Sequence, residues 1–185
     1  SGPDDVSCIQ KRNVKKQFRI NGKDYDRMAD HIGEFPLVMV SPYDRDLINE
    51  GSELRRKYID SVISQFDRLY LEDLIVYNKS LAQRNALLKM FGEKRYFDEA
   101  SLEIWDEQMK GPAGRIFIFF FEFLGGFLPV FGKYFEFISG GKEEVGILYH
   151  SDLSDSPMEE LLKINLQRDL AARYTTSGVH KDDLE

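Results

Sequence analysis

Cysteine is almost missing from this sequence: Cys8 is the single one in 185 residues. One thiol excludes an internal disulfide, fits a reducing compartment and rules out a cysteine-based zinc site. Histidine is nearly as scarce, with three copies, and no H-E-x-x-H pattern places two of them on one helix face. The sequence has no G-x-x-x-x-G-K-[ST] phosphate loop and no G-x-S-x-G nucleophile elbow. Gly22-Lys23 lacks both the preceding glycine and the following hydroxyl residue. The opening Ser1-Gly2-Pro3 has no basic region ahead of an apolar core, so it does not read as a secretion signal and suits a cloning remnant. What remains is 42% hydrophobic and 31% charged, the balance of a soluble globular chain of one or two domains.

Basic charge is also short overall, with a net charge of -7, which argues against a generally basic nucleic-acid binder. Yet between positions 10 and 29 stand Lys11, Arg12, Lys15, Lys16, Arg19, Lys23 and Arg27 against only Asp24 and Asp26. Such a patch attracts phosphate while the rest of the molecule stays acidic; the alternative is a solvated hairpin.

The segment 6–20 reads as two strands broken near Asn13, followed by an Asn21-Gly22 turn. Asp24 is placed to cap a short helix through His31, ended by Gly33. The continuous apolar run 35–41, FPLVMVS, has the length of a buried strand. From Ser52 a helix places Leu54, Tyr58, Ile59, Val62, Ile63 and Phe66 on one face. A second helix over 69–91 carries a seam at 71, 74, 78, 81, 85 and 88, with Asn78 and Asn85 within it, and the two helices read as an antiparallel pair. A third helix begins near Phe97, capped by Asp98 or Ser101. The segment 144–150 resembles a strand, 157–172 a helix and 173–176 a strand.

After Gly111-Pro112 comes RIFIFFFEFLGGFLPVFGKYFEF. Residues 116–131 hold one charge, Glu122. The stretch is short for a bilayer, and Gly125-Gly126 and Pro129 are expected to interrupt a helix. It reads as core or as an interface with another chain, with a membrane-surface segment as the remaining alternative. Phe117, Phe119, Phe120, Phe121 and Phe123 cannot share one helix face, because successive residues lie about 100° apart. A second surface must therefore meet some of them, and self-association is expected.

Two groups of side chains point to chemistry. Arg55 and Arg56 sit in the first turn of a helix, where cations oppose the macrodipole unless an anion or carboxylate answers them; an ordinary surface ion pair is the competing reading. His180, Asp182 and Asp183 crowd three titratable groups into four positions, either as a metal-binding set or as a solvated polar turn. His31 and His150 fall within ordinary element patterns.

At PLVMVSPYDRDLINEGSELRRKYID, YNKSLAQRNALLK and TTSGVHKDDLE the sequence resembles the bacterial RecF family of DNA replication and repair proteins. Val179 stands where that family usually has proline. The resemblance implies an α+β chain: a mainly α-helical arm lobe of antiparallel helices inserted between β-strands of an ABC-type ATPase head, as in SMC and Rad50 proteins. Residues 1–42 would be a β-rich piece of the head with the basic hairpin. Residues 43–171 would be the arm lobe with a short strand near 144–150, and 172–185 the returning head strand and loop.

The resemblance further implies an excised middle, without Walker A, signature or Walker B motifs. The fragment itself would then be no enzyme and carry no cofactor, while the parent would be a cytoplasmic ATPase using ATP and Mg. Implied partners are gapped or junction DNA, RecR and RecO, in loading RecA, with no membrane; a helical protein-interaction module without a nucleic-acid role is the alternative. Lys11, Arg12, Lys15, Lys16 and Arg19 are the candidate DNA contacts. Ser41, Asp44, Arg55 and Arg56 are candidates for coupling head to arm, and His180, Asp182 and Asp183 form the family loop.

Overall fold

The computed structural model describes residues 3–14, 16–94 and 96–185. Strands β1 (Val6–Ile9) and β2 (Gln17–Ile20) pair antiparallel, and β3 (Lys23–Asp24) adds to the far side of β2. Asn21 and Gly22 turn the chain between β2 and β3, both at positive φ (50° and 78°), as a tight two-residue hairpin requires. Asn21 also ties down the segment before β1. Its Nδ2 donates to Asp4 Oδ1 at 2.8 Å, and its Oδ1 accepts from the Asp5 N–H at 2.9 Å. The short helix reaching His31 forms as a 3-10 turn, Met28–His31, entered from Arg27. Asp24 does not cap it, because Arg19 holds Asp24 in β3 at 2.6 Å.

The run 35–41 is not a buried strand. Leu37, Val38, Met39 and Val40 are 68%, 86%, 78% and 85% exposed. An apolar run becomes a strand only where a neighbour supplies ladder partners, and no described strand lies alongside this one.

The helices are α1 (Asp46–Asn49), α2 (Ser52–Phe66), α3 (Arg68–Lys94) and α4 (Glu99–Ser139). Two shorter ones follow, α5 (Met158–Ile164) and α6 (Leu166–Ala172). Asp98 caps α4, its carboxylate accepting from the Ser101 N–H at 3.3 Å. The principal antiparallel pair is α3 with α4 rather than α2 with α3. Arg84 meets Asp106, Asp73 meets Arg115 and Tyr70 meets Phe119, so the partners' numbers converge on a constant sum. This register carries α4 beyond the start of α3 from about residue 121 onward.

The buried face of α3 matches the expected seam only in part. It runs through Tyr70, Leu71, Asp73, Tyr77, Ser80, Arg84, Leu88 and Phe91. Of the expected seam, Leu71 and Leu88 are buried, Leu74 and Leu81 pack partly buried against the core, and Asn78 is exposed. Three of these are polar, and a seam chosen for leucines passes over them. Burial is possible because Asp73 and Arg84 meet opposite charges there.

Helix α4 runs 41 residues without a break, through Pro112, Gly125-Gly126 and Pro129. At about 1.5 Å per residue it is roughly 60 Å long. Each proline removes one backbone bond. The burial of Met109, Ala113, Ile116, Phe120 and Leu124 holds the helix across Pro112, while Gly125-Gly126 and Pro129 lie beyond that buried stripe and are exposed. The second surface needed by the phenylalanines is largely Tyr149, whose ring stacks on Phe120 at 5.0 Å and Phe117 at 6.1 Å. Phe121 stays 63% exposed.

Past Leu124 the helix overhangs the body. Phe123, Phe127, Phe131 and Phe135 stack in succession at 5.6–6.3 Å, while Val130, Tyr134, Phe137 and Ile138 are 52–84% exposed. By length and composition α4 includes a stretch able to cross a membrane. Gly140, at φ +65°, ends the helix.

The expected strand 144–150 shortens to β4 (Tyr149–His150), which pairs with β5 (Asp183–Leu184). The expected helix 157–172 splits at Asn165, whose Nδ2 donates back to the Leu161 carbonyl at 2.9 Å. Residues 173–176 form no strand. Arg173 takes φ 63°, and the N–H groups of Thr175 and Thr176 go to side chains instead of a ladder.

Candidate functional site

The loop 174–183 lies where α2, α3, α5 and α6 converge, and side chains from the helices hold it. Arg84 of α3 is fully buried; its Nε donates to Asp106 at 2.6 Å, and its Nη1 to Asp169 at 2.6 Å and to the Thr175 hydroxyl at 2.8 Å. Burial pushes the Asp106 carboxyl up, against the attraction of Arg84. Asp169 accepts from the Thr176 N–H at 2.9 Å. Asn85 accepts from both the N–H and the hydroxyl of Thr175, each at 2.7 Å. Arg168 donates to the hydroxyls of Thr176 and Ser177 at 2.7 and 2.8 Å.

Gly178 sits at φ +122° against Tyr77 and Met158; a Cβ there would lie 2.8 Å from the Tyr77 hydroxyl. Both the backbone angle and the space demand glycine.

His180 bridges the loop and α3. Its Nε2 lies 3.1 Å from the Thr175 carbonyl, and its Nδ1 lies 2.7 Å from the Tyr77 hydroxyl. A carbonyl only accepts, so Nε2 carries the proton and Tyr77 donates to Nδ1. Burial lowers the imidazole pKa to about 4, which keeps the ring neutral. Asp182 shows the opposite shift: burial raises it to about 6, despite Tyr149, which donates to its Oδ2. Asp183 faces Arg55 at 3.6 Å. These three side chains point to different partners and do not converge. Among the described residues no group of three His, Cys, Asp or Glu side chains can hold a metal.

The two helix-start arginines reach this same loop. Arg56 Nη1 donates to the Asp182 carbonyl. Arg55 Nη1 donates to the carbonyls of Glu50 at 2.8 Å and Leu47 at 3.2 Å. Their partners are thus carbonyls and the Asp183 carboxylate of β5. Ser41 and Asp44 are engaged elsewhere: Ser41 accepts from the Tyr43 N–H, and Asp44 accepts from the Ser41 N–H at 2.8 Å. The structure therefore brings Arg55 and Arg56 to the 180–183 loop and leaves Ser41 and Asp44 in a local cap. A cavity of about 380 Å³ opens between α2, α3, α4 and the loop, with Arg56, Lys57, Asn78, Phe120, His180 and Lys181 in its wall.

The basic hairpin keeps Lys11, Arg12 and Lys16 exposed around the β1–β2 connection. Arg19 is committed to Asp24, and Lys15 lies outside the described residues. Sequence reasoning missed Tyr77, Arg84, Asn85, Asp106, Asp169 and Thr175 as a connected set. The one available signal was the recurrence of Tyr70, Tyr77, Arg84 and Phe91 at seven-residue steps on α3.

The architecture defines a class: a long helical hairpin whose side chains clamp a short polar loop next to a small two-stranded sheet. No family model matches the chain. Its curated relatives include two proteins named DNA replication and repair protein RecF. That of Flavobacterium johnsoniae is 48% identical over 179 residues, covering 97% of this chain and 50% of the relative. That of Phocaeicola vulgatus is 45% identical over 182 residues, covering 98% and 48%. Two solved structures of the recombination mediator protein RecF in the RecFOR pathway superpose closely. The RecF-ATP structure gives a TM-score of 0.88 at 30% identity and the RecF-ATPrS structure 0.85 at 32%, each covering 97% of this chain and 50% of that one. The chain belongs to the RecF family, and it spans about half the length of the curated relatives it matches.

Proposed function

We propose that this chain is the helical arm, with adjoining head strands, of a DNA replication and repair protein that binds ATP and gapped DNA. The whole protein would act with RecO and RecR in loading RecA, in the cytoplasm and away from membranes. The observation that carries this reading is likeness over 97% of the chain to proteins named RecF, in sequence and in fold together. ATP and Mg do not fit the residues present, since the sequence has no phosphate loop and no described acidic cluster suits a metal. The nucleotide therefore belongs to the whole protein, and the chain alone is proposed to hydrolyse none.

Within that protein, Lys11, Arg12 and Lys16, with Lys15, supply a weak phosphate contact. Arg55 and Arg56 join the arm to the 180–183 loop and transmit nucleotide state. Binding of gapped duplex DNA by the full-length protein, measured across salt concentrations, tests the reading. Charge reversal at Lys11 and Lys16 is expected to flatten the salt slope. ATP-independent DNA binding with an unchanged slope would overturn it. The exposed rings at the end of α4 favour a second property, self-association of the chain, which on its own would describe an interaction module.

A further inference from the structure

We propose that Arg84 is a positioning residue that locks the 175–183 loop to the arm, so that arm and loop move as one body. Its guanidinium is fully buried and spans three elements: Asp106 on α4, Asp169 on α6 and Thr175 in the loop. Only a planar fork reaches separate acceptors on α4 and α6 at once; a lysine ammonium is a single point.

The consequence runs along a chain of contacts. Arg84 fixes Asp169, and Asp169 accepts from the N–H and hydroxyl of Thr176. Arg84 and Asn85 together hold Thr175, whose carbonyl meets His180 Nε2, and the other ring nitrogen meets Tyr77 of α3. The loop thus leaves α3 at Arg84 and returns to it at Tyr77, about two turns away. Arg56 closes the far end at the Asp182 carbonyl. The N–H groups of Thr175 and Thr176 depend on side-chain acceptors from the helices, so their order reports whether the lock is made.

The functional weight of this lock rests on the proposed reading of the loop as part of a nucleotide-responsive protein, but its test does not. In the chain as it exists, Arg84→Lys keeps the charge and removes the fork. Amide hydrogen exchange at Thr175 and Thr176 is expected to rise at least tenfold beyond any change at the α3 and α4 amides. The His180 ring, followed by NMR titration, is expected to shift from about 4 toward its ordinary value. A purely structural loss would move all amides together and leave the ring's titration in place, and that result overturns the proposal. Should Arg84→Lys fail to fold, Asn85→Ala removes one acceptor from Thr175 and is read the same way. Wild-type exchange and titration in that variant would also overturn it. Because neither measurement uses DNA or nucleotide, failure of the RecF-like reading would leave their outcome unchanged.

Discussion

Replacing Asp182 by asparagine should stabilise the chain at neutral and alkaline pH. Asp182 is 4% exposed, and its pKa is raised by burial to about 6 from the 3.8 of a solvated aspartate. The folded state therefore holds its proton more tightly than the unfolded chain. That contribution is complete below about pH 3.8 and is lost as pH rises through about 6. A shift of this size corresponds to roughly 3 kcal/mol at 1.36 kcal/mol per unit, so a charged Asp182 is a burden at pH 8. Asp182→Asn removes the charge and retains an acceptor for the Tyr149 hydroxyl, but gives up the attraction of Arg56. A gain of about 2 kcal/mol is expected at pH 8, or roughly 4–8 °C in Tm for a chain of this length. Thermal or urea unfolding at pH 4.5 and pH 8 measures it. The two proteins should differ much less at the lower pH. A variant that is less stable at pH 8 would show that the carboxylate is satisfied by its surroundings and that burial is not the governing effect.

His180 should act with the opposite sign: its pKa is depressed to about 4, so its stabilisation is complete above about 6.5 and lost as pH falls toward 4. Removal of the ring by His180→Ala should therefore flatten the acid limb of the stability curve, and an unaltered limb would exclude His180 as its source. Arg115→Ala breaks a two-point contact to the buried Asp73, with bonds of 2.8 and 2.7 Å. Because the arginine side chain is 56% exposed, the expected loss is about 1 kcal/mol rather than the larger cost of opening a buried pair; chemical denaturation checks it. Sedimentation should show the chain self-associating, and Phe137→Lys with Ile138→Lys should return it to monomer. A wild type that stays monomeric at high concentration refutes that expectation.

Local signals in the sequence were readable where one residue type decides the outcome. Asn21-Gly22 requires positive φ and forms the turn, and Asp98 caps α4. Crowded titratable residues pointed to the loop 180–183, and cations set against the helix macrodipole pointed to Arg55 and Arg56. They did not disclose the partners, because Arg56 and the Asp182 carbonyl stand 126 positions apart. The buried face of α3 was misread because hydrophobic spacing treats Arg84 as solvent-facing until Asp169, from a different helix, is known to meet it. Helix α4 was expected to break because local propensity counts against proline and glycine. Tertiary burial overrides that penalty at Pro112. Past Leu124 the helix continues with the successive Phe123, Phe127, Phe131 and Phe135 rings stacked along it. The run 35–41 fails for the reverse reason: its composition favours a strand, but a ladder needs a neighbour.

That exposed run has a consequence for the chemistry of handling the chain. Four successive apolar residues, Leu37 to Val40, stand open to solvent outside any helix or strand, with the Leu37 N–H held by Gln65 Oε1 at 3.0 Å. Short uncharged segments of this kind stack into cross-β zippers, since each copy offers the next an unpaired row of N–H and C=O groups. Pro36 and Pro42 bracket the segment, and neither can donate to such a ladder. They act as gatekeepers that limit the stack to about five residues. Purified chain should accordingly form thioflavin-binding aggregates slowly, and substitution of Pro36 should shorten the lag.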